Sequence, residues 1–307
     1  MPTIPSARLH NLVTLVVGAM GSTDAEARDV ADHLVAANLA GHDSHGVGMI
    51  PDYVLMLHAG LLVPNQTLVL VAEKPGVIAF DARRGFGQAM AKQAMRHGIE
   101  RARAQGSVVV VLRNSSHVGR VGHWAEQCAA AGMVSVHFVN VGDHDPLQAP
   151  YGCSDARLGT NPFAVGVPGP GGGEPLLLLD MATSTIAFGK ARVARNKGVP
   201  VPEGVLIDEH GRPTTDPTTY IDERRGALLA FGAHKGSGLA VLCEVLAAAV
   251  TGGLSIAPHH PRQGGIVNNM LSFILDPAAI GERAAMAHET EAIGDWVKAS
   301  PPASGFD

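Results

Sequence analysis

Several short polar clusters in this chain hold side chains that could move a proton or bind an anion. The first is His42-Asp43-Ser44-His45-Gly46, in which two imidazoles flank an acid and a hydroxyl just after Gly41. An unperturbed imidazole titrates near ~6.5, so a loop histidine can give a proton to a carbonyl oxygen and take it back at neutral pH. The same residue types also form Asx and Ser turns after a glycine, and that structural role explains the cluster as well.

The second cluster is Asn114-Ser115-Ser116-His117-Val118-Gly119-Arg120-Val121-Gly122. It follows an apolar run at 108–112 that reads as a strand, so it lies at a strand's carboxyl end, where ligands often bind. Its glycines let backbone approach a ligand closely, and Ser115, Ser116 or free amides of a following helix could hold phosphate oxygens. Asp180-Met181-Ala182-Thr183-Ser184 repeats the arrangement after a leucine run at 176–179. Lys190, downstream, could neutralise the carboxylate or bind an acidic substrate. His234-Lys235-Gly236 opens the last long helical pattern, where a dipole end and a cation both favour an anion. A turn or a structural salt bridge is the alternative reading for the second and third clusters.

The elements that must position these groups follow from periodicity. Leu9, Leu12, Val13, Val16, Val17 and Met20 fall at helical i, i+3, i+4 spacing, which makes them a packing stripe and not a secretory leader. Thr23 and Glu26 are spaced as a capping box before Ala27, Val30, Leu34 and Ala37, and Gly41 ends that helix. A helix is predicted at 86–105 with Met90, Ala94, Met95, Ile99 and Ala102 inward and Gly106 as terminator. Strands are predicted at 108–112, 134–138, 163–167 and, buried, at 176–179, with a surface loop at 169–173. Leu239, Leu242, Leu246 and Val250 mark a buried helix closed by Gly252 and Gly253.

With 307 residues, 46% of them apolar, the chain is long enough for one large domain or two packed ones. A formal charge of −5 and scattered basic residues leave no footprint for nucleic acid, and no apolar run approaches the ~18 residues of a membrane span. The three cysteines, Cys128, Cys153 and Cys243, show no C-x-x-C spacing and suggest reduced thiols and a cytoplasmic location.

No G-x-G-x-x-G fingerprint follows a strand: Gly85-Phe86-Gly87 is succeeded by Met90, which disfavours a Rossmann domain. His42 and His45 give an H-x-x-H spacing, so a metal-dependent hydrolase is an alternative, although a zinc protease would place a glutamate between them on a helix. A binding protein that kept the fold without turnover is a third reading. No metal is expected.

The ordered strings HDSHGVGMIPDYV, NSSHVGRVGHWAEQCAAAGMVSVHF, RLGTNPFAVGVP, DMATSTIAFGK and AHKGSGLAVLCEVL resemble the type-2 malate/lactate dehydrogenase family, over about 18–301. The resemblance implies an α+β, non-Rossmann fold with a mixed, largely antiparallel sheet. It implies a helical N-terminal domain at 1–74, joined by 285–307, and a cofactor- and substrate-binding domain at 75–284. It further implies NAD or NADP as cofactor, a small 2-oxo or 2-hydroxy acid as substrate, and a homodimer with the active site near the subunit contact. A reductase of 2-carboxylated cyclic imines is a close variant.

By the same resemblance, His45 is similar to the family's proton donor with Ser44 as relay, and His117 matches a histidine assigned as base in some relatives; which one acts is open. Gly119, Arg120, Val121, Asp180, Met181, Ala182, Thr183, Ser184, His234 with Lys235, and Asn268 fall where relatives contact the dinucleotide. Lys190 stands where some relatives place a charged relay residue. Many relatives carry an arginine where this chain has Met49, which implies a more apolar pocket with Arg120, Lys190 or Arg195 holding the substrate carboxylate. Relatives usually continue further at the C-terminus, which leaves open whether such a tail contributes to cofactor binding.

Overall fold

The first elements are organised around one cap and one glycine turn. In the computed structural model, which describes residues 3–305, α1 (Ser6–Ala19) packs against α2 (Asp24–Leu39). Thr23 Oγ1 accepts the Glu26 amide at 3.4 Å, but Glu26 does not complete the expected capping box. Its carboxylate instead takes the Ser22 hydroxyl at 2.6 Å and the Asn65 amide at 2.9 Å, and Asn65 Oδ1 takes the Thr23 amide at 2.7 Å. The α1 stripe is narrower than its periodicity suggests, since Val13 and Val17 are buried while Leu12 is exposed. After α2, Gly41 adopts φ +77° and the His42 amide closes onto Ala37 O at 2.8 Å, a left-handed turn that suits glycine. Two 3-10 turns, Asp43–His45 and Val47–Met49, then lead into α3 (Ile50–His58).

Next along the chain come β1 (Val69–Lys74), β2 (Val77–Asp81), α4 (Gly87–Gln105), β3 (Ser107–Ser115), α5 (Gly122–Ala130), β4 (Val134–Gly142), β5 (Phe163–Pro168) and β6 (Pro175–Met181). A small lobe follows: α6 (Phe188–Lys197), β7 (Leu206–Ile207), β8 (Pro213–Thr214), α7 (Thr218–Asp222) and β9 (Ala227–Leu228). The chain returns through α8 (His234–Glu244), extended by a π-turn at Val245–Ala249, to β10 (Val267–Leu275) and α9 (Arg283–Lys298).

The main sheet runs β1-β2-β3-β10-β4-β5-β6, and every neighbour pair is antiparallel except β2 with β3. The fold is α+β, as expected. α4 and α5 pack on the sheet over a core that includes Phe86, Met90, Met95, Leu112, Trp124 and Met270. β7, β8 and β9 form a separate three-stranded sheet over Leu206, Tyr220 and Leu228.

Four expectations need correction. β1 belongs to the sheet, so a boundary after 74 divides a hairpin. α9 lies against β6 and not with the N-terminal helices, and residues 306 and 307 of that expected association lie outside the described residues. The 176–179 strand exists as β6, but it is an edge strand whose four leucines are 36% to 48% exposed. The helix at 239–250 buries Ala240, Cys243, Ala247 and Ala248, while Leu242 and Val250 face outward. Periodicity identifies an apolar face without saying which side meets the sheet, and here the small residues fit that contact.

Candidate active site

Loops at the ends of β3, β4 and β6, together with α3 and the start of α6, enclose a cleft of about 1220 Å3. His45 enters it from the turn after α2, with Nδ1 2.9 Å from Ser44 Oγ. The start of α6 abuts this turn so closely that a Cβ on Gly189 would lie 2.4 Å from Ser44 Cβ. His117 enters from the loop after β3, and its ring stacks on His45 with centroids 5.5 Å apart and planes 25° apart. Its Nδ1 lies 2.8 Å from the Tyr53 hydroxyl, and Gln88 Nε2 donates to that hydroxyl at 2.7 Å. A Cβ on Gly87 would come within 2.3 Å of His117 O, so this glycine lets α4 begin directly beneath the loop.

Burial disfavours the charged imidazoles. It lowers His45 to about 4, with His42 and Arg120 adding to the effect, and His117 to about 3, with His45 adding. Both rings are neutral at pH 7.

The loop carrying His117 is held at three points. The Ser116 amide donates to Gly85 O at 3.1 Å, the Val118 amide to Asn268 Oδ1 at 2.9 Å, and the Arg120 amide to His33 Nε2 at 2.8 Å. Asn268 sits at a β-bulge of β10, a device that re-aims a side chain. His33 stacks on Trp124 at 5.0 Å, and burial holds its pKa well below the ordinary value. Gly119, at φ +76°, passes directly over it. Arg120 is buried between Glu126 and Asp180, the latter at 3.3 Å. Asp180 also accepts the Gly122 amide at the start of α5; burial raises its pKa against the pull of Arg120.

The structure gathers most of the expected residues into this one cleft. Ser44, His45, Met49, His117 and Lys190 line one part, and Gly119, Arg120, Val121 and Asn268 another. Asp180, Met181, Ala182 and Ser184 complete that wall. Thr183 lies behind it, with its hydroxyl on Thr160 O at 3.0 Å, and the Ser184 hydroxyl is turned to Ile186 O at 2.7 Å. The Ser115 and Ser116 hydroxyls are buried outside the lining. Arg195 is not in the cleft: it is paired with Asp222 at 2.7 Å. His234 and Lys235 are exposed at the start of α8, with the His234 ring set edge-on to Tyr151 at 5.9 Å, also outside this cleft.

Sequence reasoning missed Tyr53, Gln88 and His33, and three further cations on the lining. Arg192 lies 3.7 Å from Asp52, Arg262 lies 3.8 Å from Asp145, and the Arg224 guanidinium lies 4.6 Å over the Phe188 ring. Tyr53 was in view within HDSHGVGMIPDYV, but an aromatic on an apolar helical stripe reads as core. Among the described residues no group of three or more His, Cys, Asp or Glu is arranged to hold a metal ion. No helix among them is long and apolar enough to cross a membrane.

Comparison with known proteins gives the family. The malate/L-lactate dehydrogenase family matches residues 4–307. Hydroxycarboxylate dehydrogenase B of Escherichia coli (strain K12) is 49% identical over 295 residues, 95% of this chain and 81% of the relative. The structure of a malate/lactate dehydrogenase-type protein from E. coli superposes with a TM-score of 0.94 at 47% identity, covering 99% of this chain and 84% of that one. A delta1-piperideine-2-carboxylate reductase from Pseudomonas syringae superposes with a TM-score of 0.85 at 30% identity, covering 99% and 90%. These likenesses make the chain a member of the malate/L-lactate dehydrogenase family and an oxidoreductase of 2-hydroxy acids.

Proposed function

We propose that the chain interconverts a small 2-oxo acid and its 2-hydroxy acid with NADH or NADPH, using His45 and His117 at the reacting oxygen. The observation that carries this reading is the pair of neutral, stacked imidazoles in a cleft that also holds Lys190, which has no ion-pair partner among the described residues. A cleft of about 1220 Å3 exceeds what a small acid needs and fits a dinucleotide beside it. The donor set is suitable too: the Asp180 carboxylate, fixed by Arg120, offers an acceptor to ribose hydroxyls, and Gly119, Arg120, Val121 and Asn268 form the adjoining wall. Met181, Ala182 and Ser184 continue the same wall, and Thr183 supports it from behind. The bound nicotinamide supplies or accepts the hydride.

The remaining chemistry belongs to the chain. Lys190, supported by Arg192, holds the substrate carboxylate, because Arg120 and Arg195 are already engaged by carboxylates. Met49, buried on the cleft wall, makes room for an apolar substrate tail. His45 and Ser44 carry the proton. His234 and Lys235 stay outside this protomer's site in the proposal. Exposed apolar side chains on β6, α8 and α9, including Leu177, Leu242 and Trp296, support a homodimer that covers them. Three unpaired thiols support a cytoplasmic location.

The test is loss of reduced nicotinamide absorbance with each of NADH and NADPH against a panel of 2-oxo acids. Turnover of at least one acid is expected, and a folded protein that oxidises neither cofactor with any acid would refute the proposal. Likeness to the piperideine carboxylate reductase favours one second reading, reduction of 2-carboxylated cyclic imines, so these belong in the same panel. Lys190 offers a cation where a protonated imine would need an anion, which favours the keto acids.

A further inference from the structure

His45 and His117 share one cleft, but the partners of their Nδ1 atoms differ in kind. Ser44 Oγ, beside His45, has no other partner among the described residues, and a hydroxyl can rotate either to donate or to accept. His45 can therefore move its hydrogen between its two nitrogens without losing that contact. Tyr53, beside His117, has no such freedom. Its oxygen receives a hydrogen from Gln88 Nε2 at 2.7 Å, and among the described residues the only acceptor within reach of its own buried hydrogen is His117 Nδ1 at 2.8 Å, so that hydrogen points there.

Turning the Gln88 amide over would reverse this chain. It would also leave both buried N–H groups of the amide without acceptors, whereas the present orientation leaves one of them and the carbonyl Oε1. Under-satisfied carbonyl oxygens are tolerated in protein interiors better than orphaned N–H donors. Burial also raises the pKa of the Tyr53 phenol, so it keeps its hydrogen. The groups facing His117 are Tyr53 from α3, Gln88 from α4 and His45, with His33 beyond them; no carboxylate touches it to draw a proton onto Nδ1.

The geometry points to a locked tautomer: Gln88 and Tyr53 hold His117 with its hydrogen on Nε2, making it a fixed hydrogen-bond donor to the substrate's C2 oxygen and not a base. This rests on the proposed reaction at the two histidines. With Nδ1 taken by the phenol and Nε2 bearing hydrogen, His117 has no lone pair for a substrate proton. In the oxidation, the hydroxyl proton goes to His45 Nε2 while His45 Nδ1–H donates to Ser44, and the hydride from C2 would go to an oxidised nicotinamide held in the cleft. In the reduction, the same proton returns from His45 to the C2 oxygen, and a reduced nicotinamide would supply the hydride to C2. Tyr53 and Gln88 are positioning residues that act through His117.

The experiment is nitrogen NMR of ligand-free protein labelled at histidine, with His117 assigned by its absence in His117→Gln. Near neutral pH, His117 Nδ1 is expected to show the shift of an unprotonated nitrogen and Nε2 that of a protonated one. In Tyr53→Phe the two signals should move toward an average of both tautomers. In that variant kcat should fall by at least ~10-fold with KM changed less than ~3-fold, because a wrong tautomer harms the transition state more than binding. His117→Gln, which keeps an N–H donor, should lose less activity than His45→Gln, for which ~10²–10⁴ is expected. A protonated Nδ1 in the wild type, an unchanged tautomer in Tyr53→Phe, or His117→Gln as damaging as His45→Gln would each overturn the inference. Because the spectra need neither substrate nor cofactor, a locked tautomer in a protein inactive on every acid would refute the proposed reaction and leave the lock standing.

Discussion

His137 offers a test of the fold's electrostatics that is separate from catalysis. It is fully buried on β4, with Nδ1 2.8 Å from Ser272 Oγ and Nε2 2.9 Å from Ser135 Oγ, and burial lowers its pKa from 6.5 to about 3. In the unfolded chain the same ring titrates at its ordinary value, so below pH 6.5 the unfolded state binds a proton that the folded state refuses. Stability from this group is therefore complete above the unfolded pKa and is lost as the pH falls toward the folded one. Between pH 7 and pH 5 the loss covers about 1.5 pH units at ~1.36 kcal/mol each, or about 2 kcal/mol. His137→Gln removes the titration and keeps an amide able to reach one of the two serines. Urea denaturation of both proteins at pH 7 and pH 5, at one protein concentration, isolates the difference, because every other titrating group is common to both. The variant should lose about 2 kcal/mol less than the wild type on acidification. Equal losses would refute the assignment of a neutral, proton-refusing ring at this position.

Other expectations concern the cleft. His45→Asn should lower kcat by ~10²–10⁴ with the fold intact by circular dichroism; a loss of only a few fold would remove His45 as proton carrier. Lys190→Met should raise KM for the acid by at least ~10-fold with a smaller change in kcat, and an unchanged KM would move the carboxylate anchor to Arg192 or Arg224. Gly119→Ala places a Cβ 2.0 Å from His33 Nε2 at φ +76°, so it should lower thermal stability and weaken cofactor binding seen by calorimetry. Sedimentation should give a dimer, and Leu177→Glu on β6 should shift it toward monomer.

The parts of the fold legible in the sequence were those with local causes. Gly41 and Gly106 end α2 and α4 where left-handed turns were expected, and the 108–112 run proved to be the middle of β3. The His45 and His117 clusters were legible because dense polar runs stand out between apolar helices and strands. Tyr53, Gln88 and His33 were not, since each lies on a helix whose neighbours are buried, where one inward polar group looks like irregular amphipathicity. β10, the strand that joins β3 to β4, was among the omissions. Its Asn268 and Asn269 interrupt the apolar pattern, and what makes them acceptable in a sheet interior is distant: Asn268 donates to Asn140 O at 2.9 Å, and Asn269 donates to Asn140 Oδ1 at 2.8 Å. No local signal announces such a partner. The outward leucines of β6 and α8 show the same limit in reverse, because an apolar face is readable but its cover is not.

The central place of β10 governs how this protein emerges from the ribosome. β3 and β4 leave early, yet the strand that joins them is not made until residue 275, so each waits with one row of amides and carbonyls unclaimed. At ~5–20 residues per second, the gap after β4 lasts on the order of ten seconds. During that interval the half-built sheet offers two unpaired strand margins to other nascent chains.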